Sequence, residues 1–142
     1  MLSQKARYAL HATIHLARKG GPATVAEIAE AEAIPRKFLE QILAQLKVQG
    51  LLTARRGPSG GYALAREAAR ISFADVLRAV EGPLALAPCA SQTAPGRCAD
   101  CESLETCAIR PILEAVRSTT ALLLEGMSLA EAAGQPRTSF AR

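Results

Sequence analysis

Four cysteines stand close together in the second half of this 142-residue chain, and their chemistry is the easiest to recognise. They are the only cysteines of the sequence: Cys89, Cys98, Cys101 and Cys107. Cys98 and Cys101 form a CxxC pair, a spacing that lets two thiolates hold one metal ion or one edge of a cluster. In a reducing compartment such a group is more often a metal or redox site than a disulfide framework. The four thiols therefore predict a site for an iron–sulfur cluster or for tetrahedral zinc.

The segment that carries the cysteines has little else to give it structure. Residues 83–106 show no helical or strand periodicity, and a stretch of this kind is usually functional or disordered. A long helix is predicted to begin between Cys107 and Arg110, because Pro111 must lie in its first turn. This places Cys107 at a helix start, where backbone amides favour a thiolate. Burial as small apolar residues would fit one or two of the cysteines but not all four.

A second group of residues has the chemistry of DNA contact. It occupies the exposed positions at the start of the third predicted helix: Arg36, Lys37, Glu40 and Gln41. Arginine and glutamine bond to the edges of purines, and glutamate accepts from the amino group of cytosine. Because a charged helix face is more often simply solvated, these residues do not identify a DNA interface by themselves.

The glycine-rich segment that follows strengthens the DNA interpretation. Its candidate contact residues are Arg55, Arg56, Ser59, Gly60, Gly61 and Tyr62. Glycines let a backbone come close to another surface, and the two arginines supply charge for phosphates or for a narrow minor groove. The segment is not a phosphate-binding P-loop, because no helix follows the glycines and the Gly-Lys-Ser/Thr ending is missing.

Local signals place these residues on a mainly helical framework. Apolar residues recur at helical spacing over 3–19. Thr24 and Glu27 form a capping box that opens a second helix. Pro35 marks the start of a third helix, and Gly50 ends it. The short link between the second and third helices matches the turn of a helix-turn-helix motif.

Two short strands complete the predicted DNA-binding domain. They are expected at 51–56 and 61–64, joined by the glycine-rich hairpin tip. Three helices followed by a hairpin is the order of a winged helix-turn-helix, whose recognition helix enters the major groove of double-stranded DNA. A further helix, capped at Ser72, follows the hairpin. The sequence therefore predicts a winged helix-turn-helix domain over 1–81, mainly α with a small β-wing.

The predicted long helix carries an apolar seam. Its apolar positions step by four, three, four and three, and are Ile109, Leu113, Val116, Thr120 and Leu123. The seam is too short for a free-standing coiled coil, so it must pack within the protein or across a dimer. Gly126 ends this helix, and Ser128 caps a last short one. The remaining segments are a cysteine-rich sensing loop over 82–107, a dimerisation helix and cap helix over 108–133, and a flexible tail over 134–142.

Charge and hydropathy narrow the class of protein. Residues 1–70 hold 11 Lys/Arg and 5 Asp/Glu, whereas residues 71–142 hold 6 and 8. A basic first half fits a polyanionic partner, although unevenness of this size is also common in soluble domains. No apolar run approaches the roughly 18–20 residues needed to span a bilayer. The first ten residues lack the apolar stretch of a signal peptide, so a cytoplasmic protein is expected.

The residues described so far resemble a known family. The run IPRKFLEQILAQLKVQGLLTARRGPSGGYALA is similar to the winged helix of the IscR/NsrR/CymR-type bacterial transcription regulators, as are SQKARYALHATIHLA and SLAEAA. The likeness covers residues 1–133. It implies a homodimer whose long helix, 109–125, crosses its partner, bound to a pseudo-palindromic operator. In that family a recognition-helix glutamate and a wing arginine touch DNA, and Glu40 and Arg56 match them.

The same resemblance favours iron in the cysteine loop. IscR- and NsrR-like members bind an iron–sulfur cluster through three cysteines before the long helix, the last two separated by five residues. Cys101 and Cys107 have that spacing. The first family cysteine lies some six to eight residues earlier, where this chain has proline at 95. Cys98 and Cys89 are both candidates for the third ligand, and the cluster type, two-iron or four-iron, stays undetermined.

Two departures from the family pattern concern the other ligands. IscR-like proteins place a histidine three residues after the last cysteine, where this chain has Arg110. Some relatives use an acidic ligand from the partner's first helix, where this chain has Arg7. These two departures from the family pattern therefore favour an all-cysteine ligand set. His11 and His15 lie one helical turn apart, but helix packing or solvent exposure explains them better than metal binding.

The predicted function is a homodimeric transcription regulator, either repressor or activator, whose operator affinity depends on an iron–sulfur cluster. One alternative is a regulator that uses the thiols directly, through zinc or through thiol oxidation, without iron. A redox enzyme that uses the CxxC pair as a dithiol is disfavoured, because no strand of an α/β unit precedes the pair. The protein is therefore expected not to be an enzyme.

Overall fold

The structure, a computed structural model, describes residues 2–135 and consists mainly of helices. In chain order the elements are α1 (Gln4–Lys19), α2 (Val25–Glu32), α3 (Arg36–Val48), β1 (Leu52–Arg55), β2 (Gly61–Leu64), α4 (Phe73–Glu81), α5 (Arg110–Glu125) and α6 (Leu129–Gly134). Short 3-10 turns lie at Ala68–Arg70 and Pro88–Ala90. The prediction of a winged helix-turn-helix followed by a long C-terminal helix is confirmed. The predicted tail, 134–142, lies outside the described residues from 136 onward.

Capping residues fix the starts of several helices, as the sequence predicted. The Thr24 hydroxyl accepts from the Glu27 amide at 3.1 Å, and the Glu27 carboxylate accepts from the Thr24 amide at 3.4 Å. The same reciprocal arrangement opens α4 at Ser72 and α6 at Ser128. Each box satisfies amides that have no partner within the helix. These helix boundaries follow from side chains within one turn of the boundary.

The core lies between the helices of the first half and the last helix. Its largest fully buried side chains include Leu16, Ile28, Leu39, Ile42, Leu43, Leu46, Ile71, Leu77 and Leu129. Burial of one such side chain stabilises the folded state by roughly 1.5–3 kcal/mol. The C-terminal helix α6 returns to this core, packs on α1, and donates from the Leu129 amide to the Ile71 carbonyl at 2.8 Å. Helix α6 thus completes the core of the winged-helix domain.

The hairpin is held against the connection between α1 and α2. Strands β1 and β2 are antiparallel, with Leu52 opposite Leu64. The Ala23 amide donates to the Tyr62 carbonyl at 2.9 Å, and the Tyr62 amide donates to the Ala23 carbonyl at 2.8 Å. This extra pairing adds a third, one-residue strand to the wing. The first strand is one residue shorter at each end than the predicted 51–56.

The long helix α5 differs from the other helices because none of its residues is buried. The exposed large side chains on it and at its N-cap are Ile109, Ile112, Val116, Leu122 and Leu123. Its C-terminal end is joined to α4 by an ion pair between Arg78 and Glu125, with 2.6 Å between Nη2 and Oε1. The predicted seam therefore runs along a helix that the described chain leaves largely uncovered. Among the helices within 2–135, none combines the length and apolar character needed to cross a membrane.

Candidate DNA interface and cysteine loop

The predicted base-contacting residues all lie on the exposed side of α3. The opposite side of this helix is buried in the core through Leu39, Ile42, Leu43 and Leu46. Arg36 Nε lies 3.7 Å from Glu40 Oε1, and the two side chains are 66% and 53% exposed. Exposed ion pairs contribute little to stability, so this contact does not hold either side chain in one position. Lys37 and Gln41 are exposed beside them.

The wing presents the two predicted arginines to solvent. Arg55 is the last residue of β1, Arg56 begins the turn, and both are exposed, as is Ser59. Within residues 2–135 neither guanidinium has an ion-pair or hydrogen-bond partner. Two unpaired cations on one hairpin tip suit a polyanion, whose counterions they would displace.

The glycines of the turn are required by the hairpin itself. Gly60 is buried, and a Cβ at this position would collide with the carbonyl oxygen of Arg55. Gly61 has a φ of +128°, and a Cβ there would collide with the carbonyl of Ala23. Tyr62 is only partly exposed, and its backbone pairs with the same alanine. The exposed polar groups of the turn are therefore the two arginines and the serine.

The second candidate site is a cavity that brings all four thiols together. The cavity has a volume of about 330 Å³, and its lining includes every cysteine of the chain. All four thiols are free and partly buried. Leu104, Ile109 and Leu113 contribute apolar surface, while Asp100 and Glu102 contribute carboxylates. The sequence predicted one shared site, and the fold confirms that the thiols are neighbours.

The CxxC pair sits on a tight turn that an arginine supports. The Cys101 amide donates to the Cys98 carbonyl at 3.1 Å. Arg97 Nη2 then donates to the carbonyls of Cys101 and Glu102 at 3.0 and 2.8 Å. Sequence reasoning missed this role of Arg97. The available signal was a cation directly before the first cysteine of the pair.

Cys89 reaches the cavity from the other side. It lies in the 3-10 turn Pro88–Ala90, which packs on α5. Partial burial raises the pKa of the Cys89 thiol, and a hydrogen bond with Cys98 raises it further. The nearby charge of Arg110 acts in the opposite direction. Cys89 is therefore a neighbour of the CxxC pair, although it is distant from that pair along the chain.

Cys107 does not lie at a helix start, contrary to the prediction. Helix α5 begins at Arg110, the far end of the predicted interval, and Ile109 is its N-cap. Pro111 lies in the first turn, as expected. Cys107 is therefore neither the N-cap nor part of the first turn, because Ala108 and Ile109 separate it from the first residue of the helix. Stabilisation of its thiolate by the helix amides does not apply at this position.

The donor set matches an iron–sulfur cluster or zinc in kind, because both accept thiolate ligands. Within residues 2–135 no three His, Cys, Asp or Glu side chains stand in the arrangement of a formed metal site. The thiols share a cavity without converging on one point. A cluster or zinc site at this position would therefore require the thiols to move closer together.

The two histidines of α1 face α2, which supports the helix-packing interpretation. His15 Nδ1 lies 3.2 Å from Glu32 Oε1, and the two side chains are 15% and 10% exposed. His11 is largely exposed, with its Nδ1 4.0 Å from the other carboxylate oxygen. Both contacts join α1 to α2 within the winged-helix domain.

Comparison with known proteins extends over almost the whole chain. Residues 2–135 match the Rrf2 family, described as iron-dependent transcriptional regulators. An rrf2-like HTH-type transcriptional regulator of Rhodobacter capsulatus is 36% identical over 143 aligned positions, covering 96% of this chain and 95% of its own.

Solved structures of bacterial regulators also resemble almost the whole chain. CymR, the global cysteine regulator of B. subtilis, superposes with a TM-score of 0.75 at 30% identity, covering 94% of this chain and 95% of its own. T. potens IscR superposes with a TM-score of 0.70 at 27% identity, covering 97% and 93%. Both likenesses include the cysteine loop and α5 as well as the winged helix.

These similarities confirm the resemblance to IscR- and CymR-type regulators that the sequence motifs indicated. They also confirm that the protein is a regulator and not an enzyme, which removes the interpretation of the CxxC pair as a catalytic dithiol. The exposed recognition helix and the unpaired wing arginines are what such a regulator needs. The chain belongs to the Rrf2 family and is a DNA-binding transcription regulator.

Proposed function

We propose that the protein is a homodimeric regulator whose affinity for a pseudo-palindromic operator depends on an iron–sulfur cluster held by its cysteine loop. The observation that carries this proposal is the cavity against α5 that all four thiols line. A bound cluster would supply a redox-active, anionic centre. Such a regulator acts in the cytoplasm, on double-stranded DNA.

The chain's own residues favour an all-cysteine ligand set. Cys98 and Cys101 come from one turn, Cys107 precedes α5, and Cys89 comes from a 3-10 turn packed on α5. Arg110 is not a ligand, because a guanidinium has no free lone pair and stays protonated. A group bound by all four thiols would therefore link three separate parts of the chain.

The apolar face of α5 supports the proposed homodimer. This face carries large exposed side chains that no other described part of the chain covers. Contiguous apolar surface of this kind marks an interaction site, and a self-complementary helix face suits a two-fold dimer. A dimer would present two recognition helices to half-sites about 34–36 Å apart, one turn of DNA. A shift of α5 would change their spacing and hence the operator affinity.

The experiment that tests the proposed cofactor is anaerobic purification followed by an absorbance spectrum and by iron and sulfide analysis. We expect a coloured protein that contains both elements. Cys98→Ser, Cys101→Ser and Cys107→Ser should each remove the colour, and Cys89→Ser tests the fourth ligand. Ser59→Ala, on the wing, is the matched control and should keep iron and sulfide unchanged. A colourless wild-type protein that takes up no iron on anaerobic reconstitution would contradict the proposal.

A second candidate function is a regulator that uses the thiols without iron. The position of Cys89 and Cys98 in one cavity and the similarity to a cysteine regulator favour it. In this case the protein would contain zinc, or two thiols would form a disulfide on exposure to an oxidant. Zinc analysis and mass spectrometry of the untreated and oxidised protein distinguish the two. A zinc-loaded or disulfide-bonded protein that responds on DNA without iron would favour this function over the first.

A further inference from the structure

One arginine connects the cysteine loop directly to the long helix. Arg110 is the first residue of α5. Its Nη1 donates to the carbonyl of Leu104 at 3.3 Å, and its Nη2 lies 3.1 Å from Glu114 Oε1. The side chain is 32% exposed, so most of it is enclosed between the loop and the helix. A guanidinium is a rigid planar group, and it therefore fixes the separation of the two groups that it joins.

The loop carbonyl that Arg110 holds lies in the segment that carries the thiols. Leu104 stands midway between Cys101 and Cys107, and its side chain lines the same cavity as theirs. The charge of Arg110 also acts on the Cys89 thiol. A movement of Cys101 or Cys107 towards the other thiols would also move the chain between them, which includes the Leu104 carbonyl. Arg110 must then follow that carbonyl or release it.

We propose that Arg110 is a positioning residue that transmits movements of the cysteine loop to the first turns of α5. The transmission runs from the Leu104 carbonyl through the guanidinium to Glu114. The inference rests on the proposed function of the loop as a sensor, and it assigns the coupling to one side chain. Arg110 itself touches neither DNA nor a ligand in this account.

The cysteine loop also contacts α5 through a second connection, whose effect must be distinguished from that of Arg110. The 3-10 turn Pro88–Ala90 packs on α5 and carries Cys89 into the same cavity. Arg97, in contrast, donates only to carbonyls within the loop. Arg97→Ala is therefore the matched control: it removes an arginine–carbonyl contact from the loop but leaves the link to α5 in place.

The test uses the full-length, reduced, metal-free protein, so that its outcome does not depend on the cofactor. Iodoacetamide alkylation of the loop thiols perturbs the loop, and hydrogen exchange reports on residues 113–116, the first amides that can bond within α5. In the wild type, alkylation should raise the exchange rates of these amides by about fivefold or more. Fivefold is the factor that corresponds to the smallest typical coupling free energy between two sites. Arg110→Ala and Glu114→Ala should each remove most of this response, whereas Arg97→Ala should retain it.

Two further observations make the outcome decisive. The double variant Arg110→Ala/Glu114→Ala should be no worse than Arg110→Ala alone, because both substitutions break one connection. Arg110→Lys keeps the charge but not the two-sided contact, and it should behave like the alanine variant. Unchanged exchange in α1–α4 shows that each variant is folded.

The proposal is overturned if Arg110→Ala transmits the perturbation as the wild type does, which would assign the coupling to Pro88–Ala90. It is equally overturned if α5 of the wild type does not respond to alkylation, or if Arg110→Lys restores the full response. Failure of the protein to bind iron would contradict the proposed function, but it would not affect the hydrogen-exchange results, which come from metal-free protein.

Discussion

The winged helix and the cysteine loop with α5 are stabilised in different ways. The winged helix and α6 contain nearly all of the buried apolar side chains. Within 82–125 only Ala90 and Ser91 are buried. In that segment, arginine–carbonyl hydrogen bonds and neighbouring thiols take the place of a core. The first region is therefore a closely packed platform, whereas the second has few buried contacts to hold it in one conformation.

This difference matches the proposed division between reading DNA and sensing. A recognition helix must keep its side chains in register with base edges, which requires a rigid support. A sensing segment must have two conformations of similar free energy, which a close-packed core does not permit. The arrangement of buried side chains along the chain therefore supports the proposed assignment of the two tasks to the two regions.

The contrast in packing predicts the largest effect on stability. Leu46→Ala, at a fully buried position of α3, should lower the free energy of unfolding by about 2–5 kcal/mol, because it leaves a cavity in the core. Leu104→Ala, at a partly exposed position of the loop, should change it by less than about 1 kcal/mol. Urea unfolding of both variants checks this pair. Equal losses would show that the loop is part of the cooperative core.

A smaller effect is expected where the wing meets the platform. Gly61→Ala places a Cβ against the Ala23 carbonyl at a positive φ, and should cost at least about 1–3 kcal/mol from backbone strain alone. It should also weaken DNA binding, because the hairpin must move away from Ala23. Gly57 likewise has a positive φ but open space around it. Gly57→Ala is thus the control that isolates strain, and a loss as large as that of Gly61→Ala would contradict the role of the close contact.

The proposed DNA contacts predict two kinds of loss. Glu40→Ala should reduce discrimination between operator variants by about 1–3 kcal/mol at one base pair, because it removes a base contact. Arg56→Ala should weaken binding to all sequences alike and lower the salt slope by about one. Titrations against a duplex that the protein selects from a random pool, at several salt concentrations, measure both. Identical behaviour of the two variants would contradict this division.

The smallest expected effect concerns the cap of α6, at the junction of the two regions. Hydrogen bonds from the Ser128 amide and hydroxyl lower the pKa of Glu131 below its ordinary 4.5. The folded-state pKa is thus below the unfolded value, so this stabilisation is present above pH 4.5 and is lost as the pH falls through the folded-state value. Glu131→Gln should remove this contribution to the pH dependence of unfolding. A wild type and variant with parallel stability curves between pH 5 and pH 3 would contradict it.

The sequence predicted the features that depend on local interactions. The capping boxes at Thr24, Ser72 and Ser128 follow from side chains that bond within one helical turn. The order of helices and hairpin follows from apolar spacing and from Gly50. The same reasoning predicted the recognition-helix residues, because exposed positions of an amphipathic helix follow from its period.

The features that it missed depend on contacts between distant parts of the chain. Gly61 is required by Ala23, and Arg110 joins Leu104 to α5, yet neither pairing has a periodic or motif signal. Cys89 was predicted to share the site, but the 3-10 turn that carries it and packs on α5 has no signal in the sequence. The start of α5 was predicted only within an interval, since no side chain caps it.

The central claim is that occupancy of the cysteine loop changes the affinity for DNA. The most direct measurement is an anaerobic titration of the cluster-loaded and cluster-free protein against the same selected operator duplex at matched salt. We expect the affinities of the two forms to differ by about 5–150-fold, the usual range of coupling between two sites. Equal affinities of the two forms would contradict it, because a ligand without differential binding to two conformations cannot regulate.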